Sequence, residues 1–222
     1  FKGDRTPIIM KKFNALFVLI TFLSGCQGSQ PPRASATQTP APTSINAPAT
    51  PTKTIRIVEP LAASAALPPV LVEIPEIGLL HSVMPMEWQI VENQGQRTTA
   101  WAVPDEAAGW HSDSAGAGAK GNVILSGHQE EGEAVFKAIS LGSIQMGHRV
   151  LLTSESGDVY VYEVVELSEP IPLDGATAEQ NTLVQRYYSQ SDQPLLTLIT
   201  GWPDFSTTHR IFVVAELAGI DS

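Results

Sequence analysis

Two apolar runs toward the end of the chain, Leu195–Thr200 (LLTLIT) and Ile211–Ala215 (IFVVA), constrain the fold more than any other feature. Both are apolar or β-branched at consecutive positions, as in strands enclosed on both faces or closing a barrel. Between them, Gly201–His209 (GWPDFSTTH) collects turn formers and hydroxyls.

The rest of the chain supplies further short strands. Val70–Ile74 and Leu79–Met84 read as strands around the turn Pro75–Gly78, with Pro85 interrupting the second. Trp88–Glu92 and Arg97–Val103 read as a pair turning at Asn93-Gln94-Gly95, and Asn122–Ser126 as a short buried strand. Arg149–Thr153 and Val159–Leu167 form a hairpin around Ser156-Gly157-Asp158, with Tyr160, Tyr162 and Val164 alternating onto one side as barrel packing. Ala107–Ala119 reads as a small-residue loop. Helices are expected over Glu133–Ser140, with Phe136 and Ile139 on one face, and over Thr177–Tyr188. About eight short strands, few helices and no internal repeat predict a mainly β fold, an eight-stranded β-barrel with one or two short helices.

Composition narrows the function classes. Thirteen basic against twenty-three acidic residues give a net charge of -10, which excludes a nucleic-acid surface built on phosphate contacts. Cys26 is the single cysteine, so neither an internal disulfide nor a cysteine zinc cluster is possible. Glu130, Glu131 and Glu133 suit the positive end of the expected helix, so no metal is expected there, and no cofactor elsewhere.

Cys26 has a more specific context. Lys11-Lys12, the short apolar run Phe13–Leu23 and then Leu23-Ser24-Gly25-Cys26 resemble a bacterial lipoprotein signal peptide with its lipobox. The resemblance implies a start at Met10 with Phe1–Ile9 an upstream extension, lipidation of Cys26, and an extracytoplasmic protein anchored to the membrane. Residues 26–67 then form a tether rich in Pro, Thr, Ala and Ser that buries too little apolar surface to order itself, with Ile55–Leu67 ambiguous between strand and helix. The folded domain is expected over 68–222.

Three positions carry the chemistry. His128 follows the short buried strand, where a side chain can project from a barrel rim; Arg210 opens the last strand; Gly201 ends the strand before it. The segments IPEIGLLHSVMP, WAVPDEAAGWHSDSAGAGAKGNVILSGH, GEAVFKAI, VYVYEVVE and LTLITGWPDFSTTHRIFVVAEL, in that order, resemble the sortases, in particular class E and F-like members. The resemblance implies an eight-stranded barrel and transpeptidation. In that reaction a cysteine thiolate cleaves a C-terminal sorting signal at a Thr-Gly-type bond, and an amine resolves the acyl-enzyme.

Position by position, the resemblance assigns the histidine to His128, the arginine to Arg210, and the nucleophile's place to Gly201. Glycine carries no side chain, so the thioacyl step has no attacking atom. Ile171, Pro172, Leu173 and Trp202 are the expected peptide contacts, and sorting-signal peptides the expected partners of a monomeric domain. His81, His111 and His148 read as surface or turn residues. Thr200 should point away from the site by strand alternation, and Ser126 could share the face of His128. Two alternatives stay open: an active sortase in which one base change separates Gly201 from cysteine, and a surface spacer whose groove has no use.

Overall fold

The two apolar runs lie side by side, and their partners close into a ring. The computed structural model describes residues 55–62, 67–93 and 95–221. Cys26, the signal-peptide segment and the tether up to Thr54 lie outside the described residues. The strands are β1 (Ile55–Arg56), β2 (Pro69–Ile74), β3 (Leu79–Met86), β4 (Trp88–Asn93), β5 (Gln96–Trp101), β6 (Ala108–His111), β7 (Gly121–Ser126), β8 (Arg149–Ser154), β9 (Val159–Leu167), β10 (Ile171–Pro172), β11 (Pro194–Trp202) and β12 (His209–Asp221). The helices are α1 (Lys137–Ser140) and α2 (Ala178–Tyr188).

Eight of these strands form the expected closed barrel. Its order is β12-β11-β7-β6-β3-β2-β8-β9, and pairing of β9 with β12 closes it. The pairs β11–β7 and β3–β6 are parallel, and the others in the ring antiparallel. Closure leaves no free edge within the ring. β1 and β10 add to β12 from outside, and β4 pairs only with β5.

Alternation explains the unbroken apolar runs. On β11, Leu196 and Leu198 enter the main core with Val123 and Leu125 of β7. Ile199 and Ile124 point the other way, into a second cluster with Tyr187 of α2 and Phe212 of β12. Both faces of these strands are therefore covered, one by the barrel interior and one by α2.

Local chemistry fixes α2 over that outer face. Thr177 and Gln180 form a reciprocal capping box at its start, with Gln180 N donating to Thr177 Oγ1 at 3.2 Å and Thr177 N to Gln180 Oε1 at 2.9 Å. At its end, buried Asn122 of β7 donates to the carbonyls of Tyr187 (2.9 Å) and Ser189 (3.1 Å), and accepts from Thr197 of β11 at 2.9 Å. Arg186 pairs with Glu166 through both terminal guanidinium nitrogens, and the Tyr187 hydroxyl donates to Glu166 at 2.6 Å.

Four sequence expectations change. The supposed loop at Ala107–Ala119 contains β6, which joins β3 to β7. Its Ala-Gly start carries no strand signal, yet the glycine is needed, because a Cβ at Gly109 would collide with the Met86 sulfur. β3 runs through Pro85: β2 pairs with it only as far as Ser82, so the missing N–H has an unpaired flank to face. The helix expected from Glu133 begins only at Lys137, since Gly132 and Ala134 hold positive φ angles of 54° and 48°. In the stretch left ambiguous, β1 pairs with Ile220 and Asp221, and Leu61 bridges to Ala119, so ordered pairing starts before Pro68.

Candidate active site

The outer face of β6, β7 and β11 floors a cavity of about 860 Å³. The β4–β5 hairpin contributes Trp88 and Trp101 to its lining, the end of α2 contributes Tyr188, and His128, Gly201 and Arg210 all border it. The three positions singled out by the sequence are thus brought to one cavity.

Gly201 lies within β11 and not in the following loop, directly across the ladder from Arg210 of β12. It is buried, on the same face as Ile199. The space a side chain would fill here is taken. A Cβ at Gly201 would stand 2.5 to 2.7 Å from the amide of Gln129. Gln129 is 3% exposed, and its Nε2 donates to Thr207 Oγ1 at 2.6 Å and to the Ser206 carbonyl at 3.4 Å. The amide ties the loop after β7 to the β11–β12 loop across the empty position.

Arg210 is exposed, and its guanidinium donates to the Tyr188 hydroxyl at 3.4 Å. No ion pair links it to a carboxylate among the described residues, so its charge faces the cavity. His128 is held at the rim. Its Nε2 donates to the Val103 carbonyl at 3.2 Å, which places the proton on that nitrogen, and Asp105 and Glu131 lie 3.8 and 3.6 Å from the ring nitrogens. Thr200 borders the cavity but gives its hydroxyl to the Gly127 carbonyl at 2.8 Å.

The remaining expected contacts lie elsewhere. Ile171 pairs with Arg210 through β10, and its side chain is buried in the second cluster, so it offers no surface to a peptide. Leu173 is exposed, but Ile171, Pro172 and Leu173 are not part of the cavity lining. Trp202 stacks edge-on against His209 with centroids 5.4 Å apart and borders a different, smaller cavity of about 230 Å³.

The sequence reading missed His111. Taken as a surface or turn residue, it is 2% exposed and sits on β6 in the cavity floor. Its Nε2 shares a 2.8 Å hydrogen bond with Ser126 Oγ, and its ring contacts Trp101 (4.3 Å between centroids) and Tyr188 (5.9 Å). Burial, with the Arg210 charge added, pushes the imidazole down to about 4, so it is neutral at physiological pH. Burial also raises Tyr188, partly offset by Arg210. The signal that could have revealed His111 was its strand neighbour: with β6 recognised, alternation puts His111 on the face of Gly109, which pairs with Ser126.

Comparison with known proteins agrees with the barrel fold. The family profile for the Sortase domain matches residues 72–218. Among solved structures, the lid mutant of sortase A from Corynebacterium diphtheriae superposes with a TM-score of 0.50 at 18% identity, covering 71% of this chain and 74% of that one. Sortase A from Listeria monocytogenes gives 0.49 at 22% identity, covering 70% and 90%, and sortase E1 from Streptomyces coelicolor, solved with a tripeptide in its active site, gives 0.49 at 17%, covering 72% and 93%. A comparison with curated proteins finds no match. The chain belongs to the sortase family, whose members are cysteine transpeptidases of mainly β, eight-stranded barrel fold. Among the described residues no helix is long and apolar enough to cross a membrane.

Proposed function

We propose that this domain binds sorting-signal peptides in the groove between the β4–β5 hairpin and α2 without forming a thioacyl-enzyme. The observation that carries the reading is the Gln129 amide standing where a side chain at 201 would be, bonded to Thr207. A cysteine at 201 could not keep its usual space unless that amide moved away. A side chain at 201 would require the Gln129 amide, the far end of a flexible side chain, to swing aside.

What remains is suited to hold a peptide. Arg210 presents guanidinium donors to a carbonyl or carboxylate oxygen, Trp101 and Trp88 stack at 4.3 Å to form an apolar wall, and Tyr188 adds a half-aromatic, half-polar face. With Cys26 lipidated, the domain would stand outside the cytoplasm on a tether and act as a peptide receptor at the membrane surface. Isothermal titration of a peptide containing the Thr-Gly bond against the purified protein tests the groove. Saturable binding that Arg210→Ala weakens about tenfold, the loss of one charge-assisted hydrogen bond, is the expected result. No heat at millimolar peptide removes the reading.

A further inference from the structure

The groove floor contains a hydroxyl and an imidazole that peptide binding does not use. Ser126 Oγ and His111 Nε2 are 2.8 Å apart, on adjacent strands paired at Gly109–Ser126. Both residues border the cavity, and Ser126 is 8% exposed, so its oxygen lies beneath the groove and not inside the barrel. The barrel interior is reached from β7 by Val123 and Leu125, on the opposite face. His111 is clamped between Trp101 and Tyr188, and Tyr188 in turn touches Arg210. A hydroxyl, a base, an orienting aromatic clamp and a cation thus line one wall.

We propose that Ser126 is a nucleophile for acyl transfer from carboxylic esters, with His111 as its general base and Arg210 as the cation facing the oxyanion. The step balances within these groups. Ser126 Oγ bonds to the ester carbonyl carbon as its proton passes to His111 Nε2, and the carbonyl π electrons move onto oxygen, where the Arg210 guanidinium opposes the charge. Collapse breaks the bond to the leaving alcohol, which takes the proton from His111. Water or an amine then attacks the acyl-Ser126 ester by the same route in reverse, returning the serine.

Charge arrangement fits this order of events. The imidazole rests neutral, as a base must, because burial and Arg210 disfavour its charged form. An imidazolium formed beside Arg210 is costly alone, but the oxyanion forms in the same step and offsets it. Esters are the assigned class because an alcohol leaves a tetrahedral intermediate more readily than an amine does, and the His111–Ser126 pair supplies one proton shuttle for it. The assignment shares Arg210 with peptide binding, but its nucleophile and base, Ser126 and His111, have no part in holding the peptide.

An alkyl fluorophosphonate, which bonds to activated serine oxygens with loss of fluoride, tests it on the full chain. Intact mass and peptide mapping are expected to show one adduct, on Ser126, and His111→Gln, which keeps a polar partner for the serine but no base, should slow its formation at least about 100-fold, the range general-base catalysis supplies. The mapping on the unaltered chain needs no variant, so a His111→Gln protein that failed to fold would not shield the proposal. No adduct, an adduct on another residue, or a Ser126 adduct formed equally fast in a folded His111→Gln protein overturns it. Because the peptide titration is a separate measurement, either idea can fail without the other.

Discussion

The rim and the floor of the groove each hold a histidine, and they hold them in opposite ways. At the rim, His128 has a backbone carbonyl on one nitrogen, carboxylates of Asp105 and Glu131 nearby, and solvent beside it. On the floor, His111 has a serine hydroxyl, two aromatic rings and a cation around it. The sequence marks the first, because it follows the strand Gly121–Ser126 in a segment that resembles the family's. It hides the second, because only strand pairing brings His111 to Ser126. Position in a motif and commitment to the floor of a site are separate properties.

Substitutions can sharpen that contrast. The largest stability effect is expected at the anchor of the floor, Asn122: truncation to alanine leaves the Tyr187 and Ser189 carbonyls and the Thr197 hydroxyl without their partner. It should cost about 2–4 kcal/mol in urea unfolding, two to three buried hydrogen bonds' worth. A loss under about 0.5 kcal/mol, the range of ordinary surface changes, would mean that α2 is held mainly by its apolar contacts.

Next comes pH. His111 is held at about 4 in the fold against an ordinary value of 6.5, so the unfolded chain binds the extra proton first as pH falls. Its contribution is intact above about pH 6.5, declines as pH falls through that value, and is gone below about 4, a loss on the order of 3 kcal/mol. Unfolding curves between pH 7 and 5 should show this slope in the natural chain and lack it in His111→Gln. Glu166 and Glu76, both held low, by Arg186 in the first case and against a burial penalty by backbone and Arg149 bonds in the second, lose their share only at lower pH.

The smallest effect on stability belongs to the rim. His128→Gln keeps a donor for the Val103 carbonyl and should change unfolding free energy by no more than about 0.5 kcal/mol, as exposed ion pairs contribute little. A loss as large as that of Asn122→Ala would erase the distinction between rim and floor.

Much of the architecture was legible in the sequence. β7, β11 and β12 read as buried strands because both faces are covered, and the β8–β9 hairpin because its turn is Ser156-Gly157-Asp158. β6 was not legible. Four residues starting Ala-Gly have neither length nor β-branching, and their strand character comes from β3 and β7 on either side. The start of α1 was lost to backbone angles at Gly132 and Ala134 that composition does not announce. In the site, Gly201, His128 and Arg210 could be assigned by resemblance, whereas Gln129 could not. Its role depends on Thr207, 78 residues on, and on a gap at Gly201 that exists only once β11 is folded beside the loop.

Filling that gap shows whether Gln129 closes position 201 to a side chain. In Gly201→Cys the new side chain meets the Gln129 amide, and in Gly201→Cys with Gln129→Ala it does not. Alkylation of position 201 by iodoacetamide, followed by peptide mapping, should be at least about tenfold faster in the double variant, a difference of about 1.4 kcal/mol in access to the reactive thiolate. Equal rates in the two proteins would show that Gln129 leaves a cysteine its place, and that the glycine alone separates this chain from the thiol chemistry of its family.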